Sequence, residues 1–190
     1  MREKEFNIII NGVGGQGLIT LLKVISEAAL AEGFDVKSSE LHGLSQRGGS
    51  VETHLRFGNK IWSPLVLPGK ADLVFSLESQ ESLRVSFYAS KKTTFLINKY
   101  QTPTFSKDFS EKGISENLKK ISQKMYLIPA SEICQKKFGT DVVSGIYLLG
   151  SALSKKVLPL KQNSITFAIK KIIPEKYLEL NVKALNLAET

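Results

Sequence analysis

The feature that most constrains this chain is the passage from Phe6-Asn7-Ile8-Ile9-Ile10-Asn11 through Gly12-Val13-Gly14-Gly15-Gln16-Gly17 into residues 18–32. The first piece is a short apolar run rich in β-branched residues, as expected of a strand buried on both faces. The last carries Leu18, Leu21, Leu22, Ile25, Ala28 and Ala29 at the spacing of one helix face. Glycines between them permit a tight strand-to-helix turn. Gly33-Phe34-Asp35 closes the helix and residues 36–40 read as a second strand, which completes a βαβ unit. A chain that starts this way is expected to build a sheet flanked by helices.

The remainder fits that start. Residues 50–58 alternate like a half-buried strand, and Gly58-Asn59 is read as a turn toward Ile61-Trp62-Ser63-Pro64, giving a hairpin insertion. Residues 71–77, 93–98 and 125–129 read as buried strands, and 79–88, 116–123, 130–138, 142–153, 164–173 and 175–187 as helices, the last two divided by Pro174. Within 142–153 the small residues Ser144, Gly145, Gly150, Ser151 and Ala152 would allow close approach of a neighbour. The expected fold class is α/β: a doubly wound, mostly parallel, Rossmann-like sheet with a β-hairpin insertion and C-terminal helices, in a single domain spanning 1–190. No apolar run approaches the roughly 20 residues of a membrane helix and no signal-peptide core follows Met1, so a cytoplasmic location without membrane contact is expected.

The formal net charge of +8 comes largely from lysines after residue 90, in pairs such as Lys91-Lys92, Lys119-Lys120 and Lys170-Lys171 spread between apolar residues. Dispersed pairs without interleaved aromatics describe a solvated face, and no nucleic-acid partner is expected. The one cysteine, Cys134, cannot make an internal disulfide, a thiolate zinc site or a cluster ligand set. No metal-ligand spacing, carboxylate pair or Ser-His-Asp arrangement stands out, so no metal site and no catalytic residue is assigned to this chain.

Two glycine-rich segments remain as binding candidates. Gly12, Gly14 and Gly17 have G-x-G-x-x-G spacing, and with Gly15 and Gln16 they form a turn whose N–H groups suit a phosphate. The bare alternative is that the glycines only make the turn. Glu40 sits where a dinucleotide fold places its ribose-binding acid. No Walker lysine follows, which disfavours nucleotide hydrolysis. The second segment, Ser39-Glu40-Leu41-His42-Gly43-Leu44-Ser45-Gln46-Arg47-Gly48-Gly49-Ser50, is richer in chemistry. His42 can donate, accept or move a proton near neutral pH, and the planar fork of Arg47, beside Gln46, suits a carboxylate or phosphate. Gly48, Gly49 and Ser50 let another backbone or a ligand come close. His54 is read as strand packing or a structural hydrogen bond. These residues leave three readings open: a phosphate-bearing ligand, a stand-alone nicotinamide-binding protein, and an interaction scaffold.

The two segments together resemble the gamma-type subunit of 2-oxoacid:ferredoxin oxidoreductases, the pyruvate/ketoisovalerate gamma subunits among them, and most closely the indolepyruvate type. The likeness extends through Pro68-Gly69-Lys70-Ala71-Asp72, residues 142–153 and Asn181-Val182-Lys183-Ala184-Leu185 to nearly the whole chain. It implies a subunit without a catalytic centre of its own, within an enzyme that oxidatively decarboxylates 2-oxoacids to acyl-coenzyme A thioesters. Coenzyme A is then the acyl acceptor and ferredoxin the electron acceptor. Thiamine diphosphate and iron–sulfur clusters would reside in a large alpha subunit, the partner required for activity. Arylpyruvates would be the substrates of the indolepyruvate type.

Overall fold

The structure is a computed structural model that describes residues 5–42, 48–103 and 110–188. Among them six strands form one sheet: β1 (Glu5–Val13), β2 (Asp35–His42), β3 (Ser50–Gly58), β4 (Leu73–Ser76), β5 (Thr94–Asn98) and β6 (Met125–Ile128), in the order β2-β3-β1-β4-β5-β6. β1, β4, β5 and β6 pair in parallel, whereas β3 is antiparallel to both β1 and β2. The expected α/β, mostly parallel architecture is borne out, with β3 as its one reversed strand.

The hairpin expected at Gly58-Asn59 is not the one that forms. β3 instead pairs with the preceding β2, from Asp35 opposite Gly58 to His42 opposite Val51, so its antiparallel partners are β2 and β1 rather than the segment after Asn59. A two-residue hairpin turn of type I′ needs positive φ at both central residues, and neither Gly58 nor Asn59 has it. Ser63-Pro64 also supplies no N–H at residue 64 for a ladder.

The helices are α1 (Leu18–Ala31), α2 (Glu81–Arg84), α3 (Glu111–Lys119), α4 (Ala130–Phe138), α5 (Ser144–Ser154), α6 (Gln162–Ile172) and α7 (Glu175–Leu187). The helix expected over 79–88 ends after one turn and continues as a 3-10 turn, Ser86–Tyr88, in a stretch of aromatic and serine residues with poor helix propensity. The helix α3 begins earlier than 116 because the Ser110 side chain caps it, accepting the Gly113 N–H at 3.1 Å.

Alternation along the strands feeds two layers. Ile8, Ile10, Leu55, Phe57, Leu73, Phe75 and Leu96 face α1 and the helices α4–α7. Ile9, Val74, Phe95 and Ile97 face the other way, onto Val66, Val85 and the α3 residues Ile114 and Leu118. Each such side chain, once fully buried, contributes about 1.5–3 kcal/mol. The small residues of α5 serve this packing: a Cβ on Gly150 would lie 2.2 Å from the Leu185 carbonyl oxygen of α7, and one on Gly145 would touch Leu77.

Candidate functional site

β1 carries the chain to the carboxyl edge of the sheet, where open α/β sheets place their ligand crevices. Gly12 has no room for a side chain: a Cβ would come within 2.5 Å of Gln16 Oε1 and 3.2 Å of Leu77 Cβ. Gln16 folds back under the turn, its Oε1 accepting the Val13 N–H at 2.8 Å and its Nε2 reaching the Leu77 carbonyl at 3.5 Å. It acts as an internal latch. Gly15 and Gly17 take φ of +105° and +79°, conformations that side chains resist, and Gly17 leads into α1 as its N-cap.

The two glycine segments meet. The Gly14 N–H donates to the Gly49 carbonyl at 2.9 Å and the Gly48 N–H reaches back to the Gly14 carbonyl at 3.5 Å. Gly14 therefore commits its N–H to the partner loop, while those of Gly15 and Gly17 have no acceptor among the described residues. Ser50 is turned toward the opposite layer, where its hydroxyl donates to Glu81. The Glu81 N–H donates to Glu78, whose carboxyl is pushed above its usual range chiefly by burial.

Glu40 is not brought to the glycine turn. On the outer strand β2 it pairs with Thr53 of β3, and β3 separates it from β1, two strand spacings or about 9–10 Å away. The backbone of His42 ends β2 opposite Val51. Gln46 and Arg47 lie outside the described residues.

Between the turn and the helices lies a cleft of about 550 Å³. Gly15, Gly17 and Thr20 line one wall, Tyr100 beyond β5 and Ser131 of α4 another, and Ser144 and Gly145 of α5 with Tyr177 and Asn181 of α7 close it. The amino ends of α1, α4, α5 and α7 thus gather at one cavity, and in none of the four does the N-cap residue's own side chain cap the helix. The helix dipoles favour an anion there, although Asp141 on the wall opposes it, and the Ser131 N–H of α4 and the Ser144 N–H of α5 are already donated to Asn98 Oδ1 at 3.2 Å and to the Asp141 carbonyl at 2.9 Å. The sequence pointed to Gly15 and Gly17 but offered no signal that Thr20, Tyr100, Ser131, Tyr177 and Asn181, distant along the chain, would join them. It also gave none for Asn11, a buried side chain whose amide nitrogen and oxygen have no partner among the described residues.

His54 behaves as a structural group. Its Nδ1 accepts the Val66 N–H at 3.0 Å, so the ring proton sits on Nε2 and is donated to Glu52 at 2.9 Å. Burial works against the charge of Glu52, but hydrogen bonds from His54 and Tyr88 outweigh it and hold the carboxyl below its usual range. Tyr88 is pushed up to about 12 by burial and by this bond. Burial likewise pushes the Cys134 thiol up to about 11, away from thiolate chemistry. Among the described residues no group of His, Cys, Asp and Glu could hold a metal, and no helix is long and apolar enough to cross a membrane.

The sequence matches the pyruvate ferredoxin/flavodoxin oxidoreductase family over residues 7–189. The chain belongs to this family. It is 33% identical over 189 residues to indolepyruvate oxidoreductase subunit IorB of Archaeoglobus fulgidus, covering 96% of this chain and 93% of that one. Its fold is similar to the gamma subunit of a keto/oxoacid ferredoxin oxidoreductase from Geobacter sulfurreducens (TM-score 0.71, 20% identity, 97% and 96% covered). It is also similar to 2-oxoglutarate:ferredoxin oxidoreductase from Magnetococcus marinus, solved with 2-oxoglutarate, coenzyme A and succinyl-CoA bound (TM-score 0.75, 16% identity). That likeness takes in 98% of this chain but 31% of the Magnetococcus chain. The resemblance read from the two glycine segments is borne out.

Proposed function

We propose that this chain is the small, gamma-type subunit of a 2-oxoacid:ferredoxin oxidoreductase that acts on arylpyruvates such as indolepyruvate. In that reaction the bond between the carboxylate and carbonyl carbons breaks and carbon dioxide leaves. The acyl carbon forms a thioester with coenzyme A, and two electrons pass to ferredoxin with release of a proton. The larger partner would hold the thiamine diphosphate and iron–sulfur clusters, which would supply the decarboxylation chemistry and the electron path; the single buried Cys134 here suits neither task. The likeness to the IorB subunit supports the arylpyruvate reading.

This chain contributes binding rather than bond making. The observation that carries the reading is the meeting of the two glycine loops beside the cleft on which four helix amino ends converge. The N–H groups of Gly15 and Gly17, which have no acceptor among the described residues, suit the phosphates of coenzyme A. Arg47, with Gln46, would grip the same phosphates or the partner, and His42 would orient a ligand or bond across the interface. The displacement of Glu40 takes away the acid that a nicotinamide reading needs.

The test is Arg47→Ala in the assembled enzyme, assayed with an arylpyruvate, coenzyme A and ferredoxin. The expected result is a KM for coenzyme A raised roughly tenfold or more, as for loss of a charge-assisted hydrogen bond, with the isolated subunit melting as before. Lost assembly without any coenzyme A effect would favour the scaffold reading. Unchanged kinetics and assembly would remove Arg47 from the site.

A further inference from the structure

Residues 61–67 leave β3 as irregular backbone, yet they are clamped. The Ile61 N–H donates to Asp35 Oδ2 at 2.7 Å, Arg56 Nη1 donates to the Ser63 carbonyl at 2.9 Å, and the Val66 N–H donates to His54 Nδ1 at 3.0 Å. Arg56 is itself held by Asn7 Oδ1 at 2.7 Å and Glu5 at 3.0 Å. Polar groups from β1, β2 and β3 thus fix a segment that belongs to no ladder. The clamps bury Ile61 and Val66 and leave Trp62 80%, Leu65 47% and Leu67 63% exposed. At the end of the segment the Gly69 N–H donates to the Phe87 carbonyl, which brings in Phe87, 66% exposed and ring to ring with Tyr88.

Ordering a coil costs conformational entropy, and nothing in the chain's own core uses the large apolar groups this one displays. Rigid, outward aromatic side chains are what binding surfaces use as anchors, because their order is already established before the partner arrives. The rim is basic: Lys60 Nζ lies 4.0 Å from the centre of the Trp62 ring, and Lys70 follows Leu67 in a turn closed by its own N–H. A matching partner surface is apolar and edged with carboxylates.

We infer that the surface formed by Trp62, Leu65, Leu67 and Phe87 docks the larger polypeptide of the oxidoreductase, an inference that rests on the subunit reading above. In the Magnetococcus enzyme this fold is under a third of a longer chain, tethered covalently to the rest. The IorB relative is nearly coextensive with this chain, so a fold used as a separate subunit needs a surface to replace the tether.

The experiment uses the complex of this chain with its larger subunit, compared for wild type, Trp62→Glu, the double variant Leu67→Glu/Phe87→Ala, and Phe167→Glu on α6 as a control on another exposed apolar site. Association is measured by titration calorimetry, folding of each isolated chain by thermal melting. The expected result is association weakened about thirtyfold or more by each docking variant, the scale of interface anchors, with unchanged melting and a wild-type Phe167→Glu. Undiminished association of folded docking variants overturns the inference and leaves the subunit reading intact. Equal loss with Phe167→Glu overturns it as unspecific. A wild-type dimer of this chain that Trp62→Glu makes monomeric assigns the face to a second copy instead. A wild-type chain that binds no larger subunit refutes the subunit reading itself.

Discussion

At the scale of single residues, Gln16 shows how a side chain in a binding loop can be structural. It satisfies the Val13 N–H inside the turn, so Gln16→Ala leaves that donor without its partner and should cost about 1–3 kcal/mol in urea unfolding. Gly12→Ala should evict the same carboxamide, because the new Cβ would overlap Gln16 Oε1. The two changes should therefore cost less together than the sum of their separate effects, which a double-mutant cycle measures. The sequence made Gln16 a ligand contact because its residue type and glycine surroundings look alike in either role; only the fold of the turn distinguishes them. Glu52 offers a pH test. Its folded carboxyl titrates below the ordinary value of 4.5, so its contribution is complete above that value and is lost as pH falls from there through the folded value. Glu52→Gln keeps an acceptor for His54 but loses the charge. It should destabilise the chain by about 1 kcal/mol at neutral pH, and the gap from wild type should close below pH 4.5 in thermal melts.

At the scale of elements, local signals were read well where they are self-contained. The helices expected over 130–138 and 175–187 are α4 and α7 with the same bounds, since each is bracketed by proline and an apolar stripe or a closing glycine. The strand β1 announced itself by its apolar run. What failed was pairing. Gly58-Asn59 looked like a turn, but whether β3 turns back on the next segment or the previous one is decided by register across the sheet, which Phe57 opposite Val36 and Leu55 opposite Ser38 express only once folded. The same dependence on a distant neighbour governs α5. Its small residues foretold close approach, and Gly150 meets the backbone of α7 rather than a yielding side chain. Gly150→Ala should push the two helices apart and cost about 1–3 kcal/mol or more, the usual scale of overpacking. Gly139→Ala, strained only by its own φ of +72° in a spot with nothing within 4 Å, should cost less. Urea midpoints of the two variants check the order.

At the scale of the whole molecule, the cleft is a product of topology. Its walls run from Gly15 to Asn181, and no local window of sequence holds more than a part of it; the glycine turn was legible, the helix ends that face it were not. A ligand seated there touches α1, α4, α5 and α7 at once, so binding should resist unfolding of the entire chain rather than of one loop. If coenzyme A binds the isolated subunit, then at a hundredfold excess over its dissociation constant it should add about 2.7 kcal/mol of stability. For a chain of this size that raises the melting midpoint by roughly 5–10 °C. Gly15→Ala, forced to adopt a φ of +105°, should abolish the rise, since the strained turn would relax and turn its N–H away. NAD should give a smaller rise than coenzyme A, because Glu40 stands a full strand away from the turn and cannot reach a ribose held there. No rise with coenzyme A, in a chain that still supports turnover when joined to its partner, would place the ligand contacts on the larger subunit and leave the glycine loops as part of the joint between them.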